Sequence, residues 1–123
     1  MEIISTDKAP AALGPYSQAY KANGFVFTSG QIGMDPETGE VAEGGITGQT
    51  EQAMRNLQAI AEAAGTDLAH TVKTLCFLAD MGDFDAFNAV YEKYFPLKPA
   101  RSCVAAKQLP KNVLCEVEII IAL

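Results

Sequence analysis

Three stretches of this chain carry apolar residues on both sides of what reads as extended backbone. In Phe25–Ser29, Phe25 and Phe27 oppose Val26. In Val72–Leu78, Val72 and Cys76 oppose Leu75 and Phe77. Near the C-terminus Val117, Ile119 and Ile121 alternate with Glu116, Glu118 and Ile120. Successive side chains of a strand point to opposite faces, and strands that are apolar on both faces are ordinarily covered on both. Any fold for this chain must therefore cover a sheet twice.

The chain itself offers cover for one face. From about Thr47 to Ala64, residues Thr50, Ala53, Met54, Leu57, Ile60, Ala61 and Ala64 recur at helical spacing, while Gln49, Gln52, Arg55 and Glu62 face away. Gly65 stands where a C-terminal helix glycine belongs. A second stripe, Phe84, Phe87, Tyr91, Tyr94 and Phe95, follows Asp83 as its expected cap and ends at Pro96 and Pro99. Asn23-Gly24 between Tyr16–Ala22 and Phe25–Ser29 signals a hairpin. Ala100–Ala105 and Leu114–Leu123 read as two further strands around a Leu109–Asn112 turn. The order is ββ(β)αβαββ, one domain over residues 1–123. The expected architecture is a two-layer α/β (α+β) fold: a six-stranded mixed sheet with two helices on one face. The other face is expected to be buried by further copies of the chain, since soluble homo-oligomers usually close into rings.

Composition narrows the function. The 123 residues carry 9 basic and 15 acidic side chains, a net charge of −6, and no two basic residues are adjacent. A nucleic-acid-binding face normally clusters Lys and Arg, so no nucleic acid partner is expected. The N-terminus lacks the basic and apolar regions of a signal peptide, and no apolar run reaches membrane-spanning length, so no membrane partner is expected either. Cys76, Cys103 and Cys115 are an odd set without CxxC spacing, which disfavours a disulfide framework or a zinc site and suits a reducing cytoplasm. Asp35 to Glu40 lacks calcium-loop spacing and reads as a solvated turn.

One residue stands out chemically. Arg101 lies in an apolar strand, and with period two it shares a face with Cys103 and Ala105, as Glu116 does with Glu118. The connection between the two strands is short, so they are expected to lie close. An unpaired buried charge is costly. Either Arg101 is stapled to a glutamate, or its planar fork is left free to grip a ligand carboxylate, with a carboxylate nearby to orient water.

The run Pro99–Glu118, "PARSCVAAKQLPKNVLCEVE", resembles the C-terminal signature of the Rid (YjgF) family. "APAALGPYSQA" (Ala9–Ala19), "FTSGQIGMDPETGEV" (Phe27–Val41) and "FNAVYEKYF" (Phe87–Phe95) are similar to other motifs of that family, in the same order. The resemblance implies a fold like the small bacterial chorismate mutases, assembled as a homotrimer around a central barrel with active sites between subunits. It implies hydrolysis of 2-imino acids (2-iminobutanoate, 2-iminopropanoate) to 2-oxo acids and ammonia, with neither cofactor nor metal. By the same resemblance Arg101 binds the substrate carboxylate and Glu116 positions the attacking water. Tyr16, Ser29, Gly30, Asn88 and Cys103 line the cleft. Cys115 departs from the aliphatic residue many relatives carry there. A Cys–His pair is not expected, because His70, the only histidine, falls in a loop. Glu118 is expected to be structural. Two other functions stay open: a non-catalytic 2-oxo acid-binding module, and a ribonuclease or translation inhibitor.

Overall fold

The computed structural model describes all residues 1–123. Its strands are β1 (Glu2–Ile4), β2 (Ala19–Ala22), β3 (Phe25–Thr28), β4 (Thr71–Leu78), β5 (Ala100–Ala105) and β6 (Cys115–Ala122), and its helices are α1 (Gly45–Ala63) and α2 (Phe84–Tyr94). The six strands form one sheet in the order β1-β2-β3-β6-β4-β5. Only β4 and β5 pair in parallel, so the sheet is mixed as expected.

Both helices pack on one face. The α1 stripe Thr50, Ala53, Met54, Leu57, Ile60 and Ala61 is buried to its last member. It lies on the inward residues of β6, Cys115, Val117, Ile119 and Ile121, which alternate strictly with half-exposed neighbours. Gly65, at φ 86°, ends the helix by giving its N–H to the Glu62 carbonyl, while the Thr66 N–H reaches Ala61. That is the Schellman arrangement, in which a left-handed residue lets two orphan carbonyls find donors.

The opposite face is apolar and bare, as the two-sided strands required. Tyr20, Phe27 and Val104 stand there between 39 and 48% exposed, flanked by Phe25 and Ile3. No helix crosses this side of the sheet.

Several expectations need correction. The strand expected over Tyr16–Ala22 begins at Ala19, because Tyr16 turns back through its N–H to the Gly14 carbonyl. Asp83 occupies the N-cap position of α2 without making a side-chain cap. Asp80 does the capping one turn earlier, its Oδ1 accepting from the Gly82 N–H at 2.7 Å in a 3-10 turn that runs into the helix. Gln49 does not simply face away; its Oε1 accepts from the Leu114 N–H at 2.8 Å and fixes the approach to β6. The largest correction concerns β5 and β6. They are not neighbours, because β4 inserts between them.

Candidate active site

Arg101 sits on the edge strand β5, in register with Thr74 of β4, while Cys103 is in register with Cys76. Thr74 and Cys76 point into the core under the helices, so Arg101 lies on the helix-covered side, at the rim beneath α2. There its Nη1 donates to Asn88 Oδ1 at 2.7 Å. Its Cζ stands 4.7 Å from the centroid of the Tyr91 ring and 5.4 Å from that of Phe84. The ion pairs of the chain are Arg55–Glu51 and Lys93–Glu51, and Asp67 is taken by a hydrogen bond with His70, so Arg101 has no carboxylate partner in its own chain. The glutamate staple, one of the two readings of its sequence context, is therefore not made within the chain. In front of the guanidinium is an open hollow of about 330 Å³ walled by Asn88, Tyr91, Glu92, Phe95, Lys98 and Pro99; Glu92 lines it without pairing with Arg101.

Glu116 belongs to a different hollow, of about 320 Å³, shared with Tyr16, Ser29, Gly30, Ile32 and Pro110. Gly30 and Gln31 are tied to β6 by reciprocal backbone hydrogen bonds between Gln31 and Val117, 2.8 and 3.0 Å long. This tie presses Gly30 onto the Glu116 side chain. A Cβ at Gly30 would lie 2.0 Å from Glu116 Oε2. Ser29 is held by its Oγ donating to the Ser17 carbonyl at 2.6 Å and its N–H to that of Gln18. Partial burial raises the Glu116 pKa above the ordinary 4.5, and the nearby Glu118 charge adds to the rise. Glu118 shares the helix-free face and forms no ion pair, with Lys73 or any other residue.

The expected site residues thus fall into two groups. Arg101 and Asn88 meet at one hollow, with Cys103 two residues along the strand. Tyr16, Ser29, Gly30 and Glu116 meet at the other. Within one chain the groups are not brought together: β5 and β6 are two strand spacings apart, about 10 Å, and Arg101 and Glu116 leave the sheet on opposite faces.

Burial raises the Cys103 pKa, although the Arg101 charge opposes the rise. His70 is paired with Asp67 at 2.9 Å, six positions ahead of the register partner of Cys103. The thiol is accordingly inert toward a histidine base. No three His, Cys, Asp or Glu side chains converge anywhere in the chain.

Sequence reading missed two polar supports of the Glu116 side. Gln18, 3% exposed, accepts from Thr6 and donates toward the Thr6, Ala9 and Pro10 carbonyls, anchoring the segment that leads to Tyr16. Asn56, fully buried on α1, donates to the Ile32 and Met34 carbonyls at 3.1 and 2.9 Å, anchoring the segment beyond Gly30. A polar residue on an apolar stripe was the available signal for Asn56. Nothing local marked Gln18.

Comparison with known proteins places this geometry. Residues 6–123 match the sequence profile described as Endoribonuclease L-PSP. Reactive Intermediate Deaminase A, chloroplastic, of Arabidopsis thaliana is 50% identical over 99% of this chain and 66% of its own. The mouse 2-iminobutanoate/2-iminopropanoate deaminase is 44% identical over 97% of this chain and 89% of its own. Among solved structures, a Thermotoga maritima putative endoribonuclease superposes with a TM-score of 0.97 at 48% identity, covering 100% of this chain and 98% of that one. Escherichia coli TdcF with bound serine superposes with 0.95 at 38% identity, covering 100% and 99%.

Proposed function

This chain belongs to the endoribonuclease L-PSP family, also known as the YjgF or Rid family, and from that premise we propose that it is an imine deaminase. Its substrates are reactive 2-imino acids such as 2-iminobutanoate and 2-iminopropanoate, and its products are the 2-oxo acids and ammonia. Relatives named as deaminases support the reaction class. The observation that carries the reading is the unpaired fork of Arg101: one donor is committed to the neutral oxygen of Asn88 and the rest face an open hollow. A guanidinium so placed matches a planar carboxylate.

The chemistry follows from the two hollows. Arg101 holds the carboxylate and thereby the plane of the conjugated imine. Glu116, as carboxylate, accepts a proton from water while the water oxygen bonds to C2. As that C2–O bond forms, the C=N electron pair moves to nitrogen and takes a proton from solvent, which gives the carbinolamine. Glu116 then returns its proton to the amino nitrogen, the C2–N bond breaks to release ammonia, and the hydroxyl proton leaves to solvent as C2–O becomes a carbonyl. The raised pKa of Glu116 makes it a better proton acceptor than an ordinary glutamate. The imine is intrinsically electrophilic, so positioning and one base are sufficient help.

Arg101 and Glu116 act on one substrate when a second copy brings its Arg101 edge to the Glu116 hollow of the first. Burial of the bare face carrying Tyr20, Phe27 and Val104 would drive that assembly, as a homotrimer in the family arrangement.

A second reading, a carboxylate-binding module without turnover, draws on TdcF, whose structure holds serine. The ribonuclease reading rests on the family name alone and lacks a basic surface. A coupled assay separates these readings. Added to a threonine dehydratase, the protein should speed loss of the imine, and Arg101→Ala should abolish that acceleration without altering the oligomer. Binding of 2-oxobutanoate with no acceleration would replace the enzyme by the module.

A further inference from the structure

The contacts of Arg101 come from one stripe of α2. Phe84, Asn88 and Tyr91 lie at i, i+4 and i+7, so they share one face of the helix. The Tyr91 ring is the nearer of the two aromatic faces, 4.7 Å from the Arg101 Cζ. Its hydroxyl is 2.7 Å from Thr74 Oγ1, a hydrogen bond buried in the core. Thr74 is the β4 residue in register with Arg101 itself. Phe95 and Phe87 pack at 4.7 and 5.8 Å between ring centroids and block the Tyr91 ring from rotating away.

We propose that Tyr91 is a positioning residue for the carboxylate site, its ring a platform tethered through Thr74 that sets the plane of the Arg101 guanidinium. This rests on the reading of Arg101 as the carboxylate anchor. A guanidinium is weakly hydrated and stacks readily on aromatic faces. A free arginine side chain would have to be ordered by each substrate that arrives, at an entropic cost. Here strand register puts the tether on the same rung as the arginine, the ring sets its tilt, and Asn88 fixes rotation within the plane. The fork is therefore presented to the hollow already oriented.

The test compares Tyr91→Leu and Tyr91→Phe in the imine assay, with calorimetric titration of 2-oxobutanoate as a stable carboxylate probe. Tyr91→Leu removes the platform and should raise KM and weaken probe binding by about tenfold, with kcat held within about threefold. Tyr91→Phe keeps the ring but loses the Thr74 tether, so it should raise KM and weaken probe binding by about threefold, less than Tyr91→Leu, with kcat unchanged. The wild-type protein supplies a readout that needs no variant. Ring current from Tyr91 should move the Arg101 side-chain proton resonances upfield in NMR. Resonances at free-arginine positions would overturn the proposal, as would a folded Tyr91→Leu that binds 2-oxobutanoate as tightly as wild type. Arg101→Ala separates the two levels: full activity in that variant sinks the functional reading. Loss of activity there with unchanged KM in Tyr91→Leu sinks only the platform.

Discussion

The Glu116 carboxylate lies against the bare Cα of Gly30, so close that a methyl group on Gly30 would fall 2.0 Å from Oε2 and 2.8 Å from Cδ. The atoms in the way are the far end of a flexible side chain, and Gly30 has no positive φ that would bar another residue. Gly30→Ala should therefore fold normally while pushing the carboxylate aside. Displacing a reacting group by about 1 Å can cost roughly a hundredfold in rate, so kcat should fall by one to two orders of magnitude with little change in melting temperature. Gly33 is the control. A Cβ there would meet the Gln49 carbonyl at 2.4 Å and Cα at 2.6 Å, which are backbone atoms of α1 that cannot step aside. Gly33→Ala should lower stability by about 1–3 kcal/mol, seen as an earlier melt and not as a selective loss of kcat.

Asn88 gives Arg101 a partner without giving it a counter-charge. Asn88→Asp would place a carboxylate at the 2.7 Å position now held by an amide oxygen. The charged pair would satisfy the fork that the substrate is meant to satisfy. KM for the imine, and the dissociation constant for 2-oxobutanoate, should rise about tenfold or more, since hydrogen bonds between charged partners are the stronger kind. The fold should be as stable as before. An Asn88→Asp variant with wild-type KM would mean that the carboxylate does not bind at Arg101.

Much of this was legible along the chain. The α1 stripe, the aromatic stripe of α2, the Asn23-Gly24 hairpin and the uncovered sheet face all follow from local periodicity, which responds to burial residue by residue. What was not legible is non-local. Period two correctly groups Arg101 with Cys103 and Glu116 with Glu118, but says nothing of how one strand lies against another. The short link between β5 and β6 suggested that they were neighbours; the parallel pairing of β4 with β5 put β4 between them and separated the two key residues. Tyr91 was concealed differently. An aromatic at helical spacing reads as core, and Tyr91 is core, 8% exposed; only the register of Thr74 with Arg101 reveals that its other face supports a charge. Gln18 gathers Thr6, Ala9 and Pro10 from a segment without regular structure, where no periodicity exists to read.

Glu116 should give both activity and stability a defined response to pH. Its pKa is raised in the fold, first by burial and then by Glu118. The protonated form is thus the better tolerated one, and ionisation opposes folding above the unfolded-state pKa. The penalty is absent below about pH 4 and complete once pH has passed the raised folded value. Glu116→Gln should therefore melt higher than wild type at pH 7, with the gap closing as pH drops toward 4. Because the carboxylate form takes the proton from water, wild-type kcat should fall on the acid side at a pH above 4.5. Glu118→Gln should move that limb to lower pH. Equal melting curves at pH 7 would show that burial does not oppose the charge.

Glu51 should act with the opposite sign, on stability alone. It sits on α1 and accepts hydrogen bonds from Lys93 and, at 2.6 Å, from Tyr94, both at the end of α2, while Arg55 lies 4.0 Å away. The Lys93 hydrogen bond is the main reason its pKa is lowered, and Tyr94 adds to it. A carboxylate with a depressed pKa contributes stability above its unfolded-state value and loses it as pH falls through the folded value. The Lys93 side chain is 60% exposed, so solvent screens the pair, and Glu51→Gln should cost only about 0.5–1 kcal/mol at pH 7. That deficit should shrink below pH 4 and at high salt. The pair joins α1 to α2, and neither Glu51 nor Lys93 lines the hollow of Arg101 or that of Glu116, so kcat and KM for the imine should not change. A drop in activity with unaltered melting would mean that the α1–α2 contact sets the position of Asn88 and Tyr91, and not merely their stability.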